Sequence, residues 1–265
     1  GNTLEELIEV YMGDLVGDKI YNKFGLLFPL LIKLIDAQDA LSIQVHPNDQ
    51  LAKERHNSYG KTEMWYIVDA EKDAQLCLGF NRPVTKEEYL KHVADGTLAD
   101  ILARVPVKQD DAYFIPAGAI HAIGKGILIA EIQQTSDITY RVFDWNRVDK
   151  NGKSRELHTE LAVDAINFAP DQHYDITHQP EVNRSVNLVE CPYFTTNVVE
   201  VKGELTRSYE ALDSFVIYMV LDGDLTMKWK DGSEQATKGE TVLVPACIDE
   251  MTLEGNAKLL EIFID

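Results

Sequence analysis

The chain has 265 residues, 45% of them hydrophobic, enough for a substantial core in one or two domains and too apolar for a disordered chain. Its 44 acidic and 25 basic side chains give a formal net charge of −19, which argues against non-specific binding to nucleic acid or to an anionic membrane. A small anionic substrate stays open, because a local cluster of Arg and Lys can reverse the field inside a cleft. Three well-separated cysteines, Cys77, Cys191 and Cys247, form no Cys-x-x-Cys pair. That pattern argues against a disulfide framework or a thiolate zinc site and suits a reducing cytoplasm.

In chain order, Thr3 and Glu6 have capping-box spacing and predict an opening helix over Leu4–Tyr11. Gly1, in place of an initiator Met, reads as a scar or a truncation point, and no signal peptide follows it. The longest apolar run, residues 26–35, is broken by Pro29 and Lys33 and is too short to span a membrane. Short runs rich in β-branched and aromatic residues predict strands at 41–45, 63–69, 112–115, 127–133, 215–221, 225–229, 241–244 and 258–263. Thr85 with Glu88 starts a second helix, residues 98–104 read as a third, and 159–168 repeat apolar residues at helical spacing. Residues 149–156 read as a loop and 171–184 as a linker. Many strands, few short helices and frequent turns predict a mainly β fold of the sandwich or jelly-roll type.

Two stretches look alike. QDDAYFIPAGAIHAI (109–123) and KGETVLVPACIDEMT (238–252) each carry a polar turn, an apolar strand, Pro-Ala-small, and a second strand. They predict two related β-modules.

The first module carries candidate metal ligands. Gln44 and His46, in SIQVHP, are two residues apart and share one face of a strand. Glu63 opens the strand in GKTEMWYI, and His121 follows the Pro-Gly turn of PAGAIHAI. An amide oxygen, two imidazoles and a carboxylate suit zinc or a related divalent ion, with room for water or substrate. His56, His92, His158, His173 and His178 stand in polar or linker contexts without such partners and read as ordinary surface histidines.

These motifs resemble the cupin superfamily, and Gln44 in place of the first His, followed by Pro47, narrows the resemblance to the type I phosphomannose isomerases in their short bacterial form. The similarity covers QVHP (44–47), GKTEMWYI (60–67), the run from Ile115 to Trp145, and RELH (155–158) with its helix. It implies two cupin-like jelly-roll modules: an N-terminal catalytic one over 1–148, a helical connector over 149–182, and a metal-free C-terminal one over 183–265. Family members usually have further N-terminal strands, so the first module is expected to lack a sheet edge. The resemblance implies one zinc ion on Gln44, His46, Glu63 and His121, and reversible conversion of mannose 6-phosphate to fructose 6-phosphate.

Aldose–ketose isomerisation through an enediol-like intermediate needs a base, a group that stabilises the developing oxyanion, and a phosphate anchor. Lys61 shares the strand face of Glu63 and reads as a donor to a sugar oxygen, as a proton carrier beside the metal, or as a solvated turn lysine. Glu131, in LIAEIQQ, reads equally as a site acid or as half of an ion pair, and the resemblance places it in the site. Arg141 suits phosphate or developing negative charge, or else a carboxylate such as Asp137 or Asp144. By resemblance Ser42 and Arg147 lie on the phosphate side, and Asp137 orients Arg141 or a sugar hydroxyl. Trp65, Tyr140 and Trp145 read as core or wall. The expected partner is a small sugar phosphate, with no nucleic acid or membrane, in a cytoplasmic monomer or weak homo-oligomer. Competing readings are a cupin oxygenase, which would need iron and consume oxygen, a non-catalytic sugar-binding cupin, and a truncated inactive isomerase. A pure binding site has no use for an acid–base group, so Lys61, Glu131 and Arg141 argue against the second.

Overall fold

The computed structural model describes residues 1–169 and 172–265. The fold is mainly β, with two cupin-like modules. The chain divides into two compact units, Leu30–Ile176 in one and Gly1–Pro29 with Thr177–Asp265 in the other. These bounds differ from the segments 1–148, 149–182 and 183–265 expected from chain order.

The opening helices explain part of the difference. Helix α1 (Leu4–Tyr11) has the expected capping box: the Thr3 hydroxyl accepts from the Glu6 N–H, and the Glu6 carboxylate accepts from the Thr3 N–H. Helices α2 (Gly13–Val16) and α3 (Asp18–Phe24) follow. The Asp213 carboxylate accepts from the N–H groups of Asp18 and Lys19 at 2.7 and 2.9 Å, capping α3 from far along the chain. Gly17, at φ +93°, makes that approach possible, because a Cβ there would lie 2.4 Å from the Asp213 carbonyl oxygen. The Leu15 and Asp14 carbonyls accept from Ala246 and Cys247 at 2.9 and 3.0 Å. No local pattern announces these partners.

The unit Leu30–Ile176 contains β1 (Leu30–Ala37), β2 (Ile43–Val45), α4 (Asp49–His56), β3 (Glu63–Ala70), β4 (Gln75–Phe80), α5 (Lys86–Ala94) and β5 (Leu102–Pro106). It continues with β6 (Ala112–Ile115), β7 (His121–Ala122), β8 (Ile127–Gln134), β9 (Tyr140–Phe143), α6 (Thr159–Ala165) and β10 (Asp175–Ile176). Two antiparallel sheets result, in the orders β1-β8-β3-β6-β10 and β5-β4-β7-β2-β9. Trp65, Ile67, Ile127 and Ile129 from the first join Leu76 and Leu78 from the second in one buried cluster.

Two expectations are corrected. Residues 98–104 are not one helix: a single 3-10 turn (Leu98–Ile101) gives way to β5, whose side chains alternate in burial with a period of two. Part of the linker 171–184 is ordered, since Asp175 and Ile176 pair with Tyr113 and Ala112; residue 171 lies outside the described residues. The run 26–35 contributes β1, with Lys33 inside the strand.

The C-terminal strands are β11 (Ser185–Glu190), β12 (Thr195–Ser208), β13 (Val216–Trp229), β14 (Gly232–Thr237), β15 (Thr241–Val244) and β16 (Glu250–Phe263). They form a sheet in the order β11-β12-β16-β13-β14, with β15 on β13. The strands expected at 215–221 and 225–229 are one 14-residue strand with a register shift between Val220 and Asp222. The two look-alike stretches occupy like places. Ile115 at the end of β6 faces Glu63 on β3, and Val244 at the end of β15 faces Val216 on β13. Val216 thus stands where the first module has its carboxylate.

Candidate metal centre and active site

Glu63 begins β3, His121 begins β7, and His46 follows directly on β2. Both sheets of the unit therefore deliver a side chain to one point. The turn before His121 is held from two sides: the Gly118 N–H donates to the His46 carbonyl at 2.9 Å and the Asn167 N–H to the Gly118 carbonyl at 2.8 Å. Gly118 has φ +90°, and a Cβ there would lie 2.9 Å from the Ala165 carbonyl oxygen.

His46, Glu63 and His121 are each only 1% exposed, and their ligand atoms lie within 4.8 Å of one another. Glu63 Oε1 is 3.3 Å from His46 Nε2, and Oε2 is 3.8 Å from His121 Nε2. The opposite ring nitrogens are engaged: Nδ1 of His46 bonds the Ile138 carbonyl at 3.0 Å and Nδ1 of His121 the Ala119 carbonyl at 2.9 Å. A carbonyl only accepts, so each Nδ1 carries the proton and each Nε2 presents a lone pair to the shared point. Burial drives the His46 pKa down to about 4 and lowers that of His121, so both rings are neutral at pH 7. Burial opposes ionisation of Glu63, yet its surroundings, with the Lys61 ammonium 3.3 Å from Oε1, hold its carboxyl below the ordinary range.

Both Nε2 atoms and both Glu63 oxygens have no hydrogen-bond partner among the described residues. Leaving such groups unpaired in the interior costs several kcal/mol. The other module offers a contrast in Glu261, which is also fully buried. Its oxygens accept from Arg207, Tyr209, Ser185 and Asn197. Glu261 is satisfied by protein donors, whereas Glu63 and its two imidazoles form an acceptor-only cage. A divalent cation fits that donor set. Gln44 sits opposite His121 across β2 and β7 and opposite Arg141 across β2 and β9. Directly opposed residues share a sheet face, so Gln44 faces the same side as both.

Lys61 is buried, with Nζ 3.3 Å from Glu63 Oε1. Glu131 is buried on β8, where Oε1 accepts from Lys33 Nζ at 2.7 Å and Oε2 from Trp65 Nε1 at 3.0 Å. Burial, then the Glu63 charge, pushes the Glu131 carboxyl up, against the pull of Lys33 and Lys61. Arg141 Nε donates to the Ser42 hydroxyl at 3.3 Å and its Nη1 to the Glu156 carbonyl at 3.0 Å. Burial, then the nearby charges of Arg155 and Arg147, lower the Arg141 pKa, while Asp144 opposes them. Asp144 accepts from Arg147 and from Arg155, the latter at 2.6 and 2.7 Å. Those bonds, Arg155's above all, hold its carboxyl at about 2. Two guanidiniums on Asp144, with that of Arg141 near enough to feel them and the Glu156 carboxylate, leave a local excess of positive charge on an acidic chain.

Asp137 is exposed and does not join Arg141, whose guanidinium turns to Ser42 and Glu156 instead. Several residues of this neighbourhood were given no site role by the sequence. Lys33 also donates to Gln133, which is fully buried, and Trp65 reads as plain core. Arg155 shares Asp144 with Arg147, and the Arg141 N–H donates to His158 Nδ1 at 3.2 Å. The even spacing of alternate residues on β1 could have placed Lys33 on a face, but not opposite Glu131.

Comparison with known proteins adds a second line. The family model "Phosphomannose isomerase type I, catalytic domain" matches residues 1–78, and "Mannose-6-phosphate isomerase, cupin domain" matches residues 184–264. The mannose-6-phosphate isomerase ManA of Bacillus subtilis (strain 168) is 39% identical over 266 residues, covering 98% of this chain and 81% of its own length. The mannose-6-phosphate isomerase of Streptococcus mutans is 34% identical over 242 residues, covering 90% of this chain and 75% of its own. The crystal structure of the mannose 6-phosphate isomerase from Bacillus subtilis superposes with a TM-score of 0.87 at 34% identity, over 99% of this chain and 82% of that one.

Proposed function

The chain belongs to the type I mannose-6-phosphate isomerase family, and from that premise we propose that it interconverts mannose 6-phosphate and fructose 6-phosphate at a zinc centre. The observation that carries this reading is the cage of His46, Glu63 and His121, four buried polar atoms with no hydrogen-bond partner among the described residues. Gln44 would complete the ligand set from the same sheet face. When bound there, zinc would neutralise the buried carboxylate and supply Lewis acidity toward a sugar oxygen.

The chain's own groups then divide the work. Glu131 removes the proton from C2 of the open-chain aldose, while Lys61 gives a proton to O1 as negative charge develops. The resulting enediol collapses when Glu131 returns its proton to C1 and Lys61 recovers one from O2. A buried carboxyl with a raised pKa suits this task, since a base is most effective when its pKa lies nearer the working pH. Arg141 stabilises the developing charge from across β2, beside Gln44. Ser42 and Arg147 receive the phosphate, supported by the positive cluster on Asp144, and Asp137 meets a sugar hydroxyl at the exposed rim. Cysteines that are all free fit a cytoplasmic setting. Among the described residues no helix is long and apolar enough to cross a membrane.

A coupled assay for fructose 6-phosphate tests the reading, with unphosphorylated mannose as the comparison substrate. Turnover of the phosphate ester should exceed that of free mannose by about 100-fold or more in kcat/KM, from charge-assisted bonds of about 1.5–3 kcal/mol each. Zinc-loaded, folded protein that isomerises neither sugar would overturn it.

A further inference from the structure

Trp65 is fully buried on β3, two residues after Glu63 and on the same face. An indole N–H can only donate, and in an interior it needs an acceptor. Here Nε1 donates to Glu131 Oε2 at 3.0 Å. The register of β3 and β8 sets Trp65 and Glu131 directly opposite, so the bond is built into the sheet. Lys33 occupies the other oxygen at 2.7 Å. Two donors from two flanking strands thus fix both oxygens, and with them the plane of the carboxylate, whose terminal torsion is otherwise broad. The same indole meets the His121 imidazole edge to face, with centroids 5.2 Å apart and planes at 80°. One side chain therefore touches the carboxylate and the ring of a metal-binding residue.

We infer that Trp65 is a positioning residue for the isomerisation: its N–H orients the Glu131 carboxylate for proton transfer, and its ring fixes the His121 imidazole beside it. This rests on the reading of Glu131 as the proton carrier. Trp65 acts through its neighbours and does not touch the reacting atoms. Simple packing would make a different demand, because a ring of similar shape without the N–H would then serve as well.

The test compares Trp65→Phe, Glu131→Gln and the double variant, each zinc-loaded, with metal content and thermal unfolding measured alongside. Trp65→Phe should lower kcat about 10- to 100-fold, the range for lost outer-shell partners, with KM within about twofold. The acid limb of its kcat/KM profile should move to higher pH, because the ionised carboxylate has lost a donor. In the Glu131→Gln background the same substitution should cost less than about threefold, since the group it acts through is gone. A slow Glu131→Gln beside a Trp65→Phe variant with wild-type kcat and pH profile would overturn the inference and leave the Glu131 reading standing. Independent, multiplying effects of the two substitutions would also overturn it. Glu131→Gln at wild-type speed would overturn both. If Trp65→Phe does not fold, the isosteric replacement of Trp65 by 3-benzothienylalanine, with sulfur in place of the N–H, gives the same readouts.

Discussion

At the residue scale, the centre is defined by hydrogen bonds made and not made. His46 and His121 spend their N–H groups on the carbonyls of Ile138 and Ala119, which leaves two lone pairs and a carboxylate facing one another. Removing one imbalance exposes the rest. His121→Ala should lose its metal to a mild chelator, with affinity down by more than about 100-fold, and lose turnover with it. Full metal occupancy and normal kcat in that variant would contradict the ligand set. Glu131 gives a prediction in pH. The base must be ionised to accept a proton, so kcat/KM falls as pH drops through its pKa. Burial raises that pKa, so the acid limb should lie above the ordinary glutamate value of about 4.3. A pH profile flat down to pH 4 would count against Glu131. His46, Glu63 and His121 were legible because each sits in a short motif whose neighbours are part of the signal. The partners of Glu131 were not, because Lys33 and Trp65 lie 98 and 66 residues away and meet it only through strand register.

At the element scale, helices announced themselves where a cap is local. Thr3 with Glu6 marks α1, and Thr85, whose hydroxyl accepts from the Glu88 N–H, marks α5. Helix α3 gave no such sign, since its cap is the distant Asp213 carboxylate. Asp213→Ala should therefore cost about 1 kcal/mol, a drop of roughly 2–4 °C in Tm for a protein of this size, with metal content unchanged. An unchanged unfolding temperature would show that the cap contributes nothing. Strands were harder to bound than to find. The break expected within β13 at Asp222 and Gly223 is a shift of register, and pairing with β16 carries the strand through it. The expected helix at 98–104 shows tertiary pairing overriding propensity, because Leu76 and Cys77 draw Val105 and Arg104 into a ladder.

At the scale of the whole molecule, a formal charge of −19 sits uneasily with an anionic substrate until the distribution is considered. Arg141, Arg147 and Arg155 gather around Asp144, so the local sign differs from the overall one. The two modules repeat one turn-strand-Pro pattern but diverge in what they bury. Val216 stands in the place of Glu63, and Glu261 is met by protein donors. One copy is thus left with an interior that calls for a cation, and the other is closed by its own side chains. The central claim, that this cage holds the zinc on which isomerisation depends, is tested most directly by stripping the protein with a chelator and titrating zinc back while following fructose 6-phosphate formation. Activity should disappear with the metal and return in proportion to zinc, up to one equivalent per chain. Turnover at the original rate by protein shown to be metal-free would contradict it.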